Sequence, residues 1–85
     1  MLKDQVKMTK DLQKYRKKID KIDKKLQKHL EKREILVKKI GKVKKENKIG
    51  TTDKAREKEI LGKIKNAYVK KIFKSIIEIS KETQR

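Results

Sequence analysis

Residues 12–47, LQKYRKKIDKIDKKLQKHLEKREILVKKIGKVKKEN, decide how this chain is built. The apolar residues Leu12, Tyr15, Ile19, Ile22, Leu26, Leu30, Val37, Ile40 and Val43 recur at steps of three and four, with no proline and no break before Gly41. That periodicity specifies one long amphipathic helix. Two cations interrupt its apolar stripe. Arg33 falls between Leu30 and Val37 at the step that points inward, and Lys44 follows Ile40 in the same way. A charged group on an apolar face needs a partner or a ligand.

The spacing of these cations bears on what they bind. Arg33 and Lys44 are eleven residues apart, close to three turns, so they share a face and stand about 16 Å apart along the axis. Long side chains can converge from there on one small anion. Arg16 lies roughly 25 Å before Arg33 by the same rise and is rotated off that face, so it cannot join them within its own chain. An antiparallel partner helix crossing near Leu26 to Leu30 brings the other chain's Arg16 opposite the Val37 to Ile40 turn, and two-fold symmetry makes two identical sites.

The chain has 85 residues, at most one domain, and a chain this short has difficulty burying enough surface alone unless it has a disulfide, a metal or a partner. It has no cysteine and a single histidine, His29, which removes disulfide scaffolds and Cys/His zinc sites and fits a reducing compartment. No apolar run reaches signal-peptide or membrane-span length. The expectation is a soluble cytoplasmic protein that does not bind membranes.

A net charge of +17, with 48% charged residues, raises nucleic-acid binding as the rival reading. The distribution of the cations argues against it. Lysine occurs throughout the polar faces, whereas arginine occurs only at positions 16, 33, 56 and 85. Nucleic-acid binders also present arginine clusters or stacking aromatics, and Tyr15, Tyr68 and Phe73 are scattered. A solvated lysine face is the simpler account, and its field still steers anions inward.

Residues 1–10 are polar with weak periodicity and read as a poorly ordered extension or a helix start, preceding a helical domain over 11–85. The long helix reaches about Glu46, and Asn47, Gly50, Thr51 and Thr52 mark a turn. Asp53 is placed to cap a second helix over 54–65, with Glu57 in its first turn and Ile60, Leu61 and Ile64 facing inward. Asn66 is the sole turn signal before a third helix carrying Val69, Ile72, Phe73, Ile76 and Ile77, and without it the last two helices read as one bent helix. Ser80 and Gln84 continue its apolar stripe. The fold class is all-α, one long helix followed by two shorter ones.

Polar residues on otherwise apolar faces are therefore Arg33, Lys44, Ser80 and Gln84, joined by Asp53, Arg56 and Glu57 at the start of the second helix. These residues fall in the runs Arg16-x-x-Ile19-x-x-Ile22-Asp23, Glu31-Lys32-Arg33, Ile40-Gly41-Lys42-x-Lys44, Asp53-x-x-Arg56-Glu57 and Ile76-Ile77-Glu78-x-Ser80-x-x-x-Gln84. In order and spacing the chain resembles the all-helical chorismate mutases, over all but its first ten residues.

The resemblance implies an intertwined helical homodimer with two shared active sites, and an isomerase that converts chorismate to prephenate without a cofactor, in phenylalanine and tyrosine biosynthesis. It implies that Arg16 of the partner chain and Arg33 hold the substrate carboxylates, and that Lys44 and Gln84 serve the ether oxygen. Glu57 and the backbone near Asp53 then take the ring hydroxyl, Arg56 orders that corner, and Ser80 supports the substrate. Lys44, Gln84 and Arg33 are the catalytic set. Some relatives carry Glu where Gln84 stands, and many have Pro where Lys54 stands. The connection before the third helix is also shorter than in many relatives. A stand-alone mutase without feedback control is the expectation.

Overall fold

A computed structural model describes residues 2–85, with side chains described from Thr9 onward. Met1, the first residue of the expected N-terminal extension, lies outside the described residues. Among the described residues the chain is all-helical: α1 (Leu2–Glu46), α2 (Lys54–Gly62) and α3 (Ala67–Gln84), with no strand. It divides into two compact units, Met1–Lys32 and Arg33–Arg85.

The first unit is the N-terminal part of α1. Each of its described side chains is exposed, including the apolar stripe of Leu12, Tyr15, Ile19, Ile22, Leu26 and Leu30; Ile22 is 63% exposed. The Lys18 ammonium stands 5.8 Å from the Tyr15 ring centroid, a cation–π contact on the helix surface.

The second unit joins the C-terminal turns of α1 to α2 and α3. Its core is small: Val37 from α1 and Ile77 from α3 are each 6% exposed, and Gly41 is buried between the elements. Phe73 and Ile76 of α3 and the Ile60, Leu61 and Ile64 side chains are half-buried around them. Ile40 and Val43, which the periodicity assigns to the inward stripe of α1, stay exposed, as do Val69 and Ile72 on α3. The inward row here is Arg33, Val37, Gly41 and Lys44, spaced four, four and three. It passes through Gly41 because a residue without a side chain lets α3 approach there.

Helix α1 ends in a tight reversal. Ile49 N–H donates to the Lys44 carbonyl at 2.7 Å and Lys48 N–H to the Lys45 carbonyl at 3.2 Å, the paired bonds of a Schellman motif. The left-handed residue of that motif is Lys48, at φ 55°, and neither Asn47 nor Gly50 occupies it.

Asp53 then caps α2, its carboxylate accepting from Arg56 N–H at 2.9 Å. Helix α2 stops at Gly62, short of the expected Lys65: Lys63 and Ile64 N–H donate to the Ile60 and Leu61 carbonyls at 3.3 and 3.2 Å, a 3₁₀-like tightening. Asn66 begins a separate helix, its side-chain oxygen accepting from Val69 N–H at 3.0 Å. Two helices meet here, and the turn signal at Asn66 is an N-cap.

Lys48 pays a conformational penalty that glycine does not, since a Cβ crowds the following carbonyl in the left-handed region. Lys48→Gly is expected to raise stability by about 0.5–1 kcal/mol, read as a higher urea midpoint with an unchanged slope.

Candidate functional site

The site is built on the inward row of α1 and the facing residues of α3. Arg33 Nη1 donates to Ser80 Oγ. The Ser80 hydroxyl in turn donates to the Ile76 carbonyl at 2.7 Å, one turn back in its own helix, and this aims the oxygen lone pairs at the guanidinium. Three turns along α1, Lys44 Nζ donates to Gln84 Oε1 at 2.8 Å and to the Thr51 carbonyl at 3.2 Å, which ties α1 both to α3 and to the loop after it. A lysine ammonium only donates, so the amide oxygen must face it and Gln84 Nε2 is directed away as a free-standing donor.

Gly41 lies between the two pairs. A Cβ placed on it would stand 2.8 Å from the Gln84 carbonyl oxygen and 2.9 Å from the Gln84 Cα, inside van der Waals distance of backbone. The absence of a side chain at Gly41 is what lets Gln84 come within reach of Lys44.

The second cluster joins α2 to α3. Glu57 Oε1 accepts from Lys81 Nζ at 3.1 Å, and the same ammonium donates to Glu78 at 2.9 Å. Glu57 and Lys81 are largely covered, at 24% and 18% side-chain exposure. Glu57 Oε2 is buried with no hydrogen-bond partner. The hydrogen bonds to Glu78 and then to Glu57 raise the Lys81 pKa above its ordinary 10.5. A folded-state pKa raised in this way contributes stability that is present throughout the neutral range and is lost only as the pH climbs through that raised value.

Of the residues singled out in the sequence, Arg33, Lys44, Ser80 and Gln84 therefore meet in two cross-helix pairs, and Glu57 sits in a salt bridge. Asp53 acts as the cap of α2 and its carbonyl accepts from Glu57 N–H at 3.0 Å. Arg56 is turned to Glu59, at 2.9 Å on the exposed face of α2. Arg16 is exposed in the first unit. Three participants were not singled out for these roles: Gly41, the Thr51 carbonyl and Lys81. A glycine inside a helix costs about 1 kcal/mol against alanine, which is a signal that something needs the space. Lys81 follows Ile77 by one turn and so shares its face, a signal of the same kind.

Chemically, this arrangement presents positive charge and oriented donors. Arg33 and Lys44 are half-buried, and their partners are a hydroxyl, an amide and a backbone carbonyl, all neutral. Their charges are fixed in place yet uncompensated, which suits an anionic ligand. Among the described residues no helix is long and apolar enough to cross a membrane.

The family model described as chorismate mutase type II matches residues 15–85, a span that includes both cross-helix pairs, Glu57 and Arg16. No curated protein and no solved structure matches the chain.

Two glycine substitutions separate helix propensity from close approach. Gly62→Ala meets nothing within 4 Å and is expected to stabilise by about 0.5–1 kcal/mol. Gly41→Ala drives a Cβ into the Gln84 backbone and is expected to destabilise by about 1 kcal/mol or more despite the same propensity gain. Paired chemical denaturation curves read both signs.

Proposed function

The chain belongs to the chorismate mutase type II family, and we propose that it converts chorismate to prephenate at the Arg33–Lys44 site, as an intertwined homodimer in which each site takes Arg16 from the partner chain. The observation that carries this reading is the pair of half-buried cations on α1, each held by a neutral group of α3.

Chorismate is a dicarboxylate that must fold into a compact conformer before its ether bond breaks and a carbon–carbon bond forms in the same step. Such a reaction needs charges fixed around the substrate; it requires neither a nucleophile nor a cofactor. Arg33 and the partner chain's Arg16 hold the carboxylates. Lys44, whose other two N–H groups go to Gln84 and Thr51, directs its third between a carboxylate and the ether oxygen, and Gln84 Nε2 donates to that oxygen as negative charge builds on it. Donors already in place favour the transition state over the ground state, because they need no reorganisation when the charge appears. Glu57 and the backbone near Asp53 take the ring hydroxyl. Ser80 supports the substrate from α3, and Arg56 orders the first turn of α2.

The dimer is supported by what one chain leaves uncovered. The apolar stripe from Leu12 to Leu30 is exposed, a run of apolar side chains of the kind that marks a protein–protein contact. An antiparallel crossing near Leu26 to Leu30 covers that stripe and supplies Arg16 to the other chain's site. The reaction belongs to phenylalanine and tyrosine biosynthesis in the cytoplasm, and the surplus of lysine draws the dianionic substrate in.

The test is the loss of chorismate absorbance with purified protein. Lys44→Ala is expected to lower kcat by on the order of 10²–10³, the usual effect of removing one such donor. Arg16→Ala and Arg33→Ala are each expected to be nearly inactive. Co-refolding the two is expected to restore up to about a quarter of wild-type activity, since half the dimers are mixed and each mixed dimer has one intact site. Because Gln84 donates at every pH, kcat is expected to stay level from pH 8 to pH 5; a several-fold rise on acidification counts against its role. A folded protein with no turnover, whose binding to duplex or single-stranded nucleic acid falls steeply with salt, would replace this reading with the rival one.

A further inference from the structure

Glu57 carries two oxygens in very different surroundings. Oε1 is fixed by Lys81, and Oε2 is buried without a partner. A buried carboxylate oxygen left without a donor is expensive, and such an atom marks a place where a donor belongs. Among the described residues nothing fills it. The arrangement also explains which oxygen is left over: Lys81 reaches from α3 to α2, takes one oxygen, and thereby fixes the rotation of the carboxylate and the direction of the other.

Lys81 is itself held from two sides. Glu78, one turn earlier on α3, accepts from it at 2.9 Å, while Glu57 accepts at 3.1 Å from the neighbouring helix. With 18% of its side chain exposed, Lys81 has little freedom to swing out to solvent. This sets it apart from most of the lysines of the chain, which lie exposed on the polar faces.

We infer that Lys81 is a positioning residue for ligand binding: it anchors Glu57 Oε1 so that Glu57 Oε2 stands ready as the acceptor for a hydroxyl group of the ligand. This rests on the proposed reading of the site, in which Glu57 takes the ring hydroxyl of chorismate. Lys81 touches Glu57 and not the reacting atoms, so its effect passes through that carboxylate. Its ammonium remains charged across the whole range in which the enzyme is assayed, as the raised pKa requires, and the anchor does not switch with pH near neutrality.

An acceptor for a hydroxyl that does not react binds ground state and transition state alike, so its loss appears in KM. Lys81→Met is expected to raise KM for chorismate about tenfold with kcat within twofold of wild type, and Lys81→Arg, which keeps a donor for Oε1, is expected to return KM to within threefold. In a Glu57→Gln background, Lys81→Met should add less than twofold, because the group through which it acts is already altered. Circular dichroism and a urea titration on every variant confirm that the helices persist. An unchanged KM in a folded Lys81→Met protein, or effects of Lys81→Met and Glu57→Gln that multiply in the double variant, overturns the inference while leaving the mutase reading intact. A wild-type protein without turnover fails the mutase reading instead, and the inference falls with it.

Discussion

The contact between the backbone of Gln84 and Gly41 is the constraint on which the C-terminal unit depends. A helix can approach another this closely only where one of them has no side chain, and the approach fixes how deep α3 sits against α1. From that depth the rest follows. Lys44, one turn beyond Gly41, is brought to 2.8 Å from the Gln84 amide oxygen, and Arg33, two turns before it, meets Ser80. Val37 and Ile77 close the space between. The apolar core is thus minor in area, and it aligns polar pairs that are themselves the contacts between helices. The half-buried cations of α1 are thus also part of its packing interface with α3.

Much of this was legible in the sequence, for reasons that can be assigned residue by residue. The stripe from Leu12 to Val43 specified α1 because a helical period sustained over thirty residues has no competing interpretation. Arg33 and Lys44 stood out because charge on an apolar face has a cost that must be met, and the structure meets it with Ser80 and Gln84, the two polar residues that continue the stripe of α3. The turn signal at Asn66 was sufficient for the α2–α3 boundary because a capping side chain acts locally. What periodicity could not supply is anything that depends on a second element. Ile40 and Val43 have the right period and the wrong side, since only the position of α3 decides which row of α1 is inward. Lys48 looks like any surface lysine until the backbone around it is known. Lys81 was one lysine among many, and only the nearness of Glu57 on another helix distinguishes it.

Helix α2 is the element with least of its own to hold it. None of its residues is buried, and it is nine residues long, below the length at which an isolated helix is stable in water. Its stability comes from its ends and its neighbours: the Asp53 cap at the start, the tightened turn after Gly62, the half-buried Ile60 and Leu61, and the Glu57–Lys81 bridge to α3. Charge therefore does for α2 part of what apolar contact does for the pair α1 and α3. That bridge is partly shielded from solvent, so it is less subject to screening than the exposed Arg56–Glu59 pair on the opposite face of the same helix.

The ammonium of Lys44 has three hydrogens, and the fold commits two of them, one to Gln84 and one to Thr51. With a tetrahedral nitrogen held at three corners, by its own carbon and by these two acceptors, the direction of the fourth is determined. Position 44 thus presents a single N–H vector of fixed bearing on a side chain otherwise free to rotate. A planar guanidinium at the same position would distribute its donors within one plane and could not satisfy an amide and a carbonyl while directing a third donor along a tetrahedral direction. The choice of lysine over arginine at this point of the helix is a choice of geometry at equal charge.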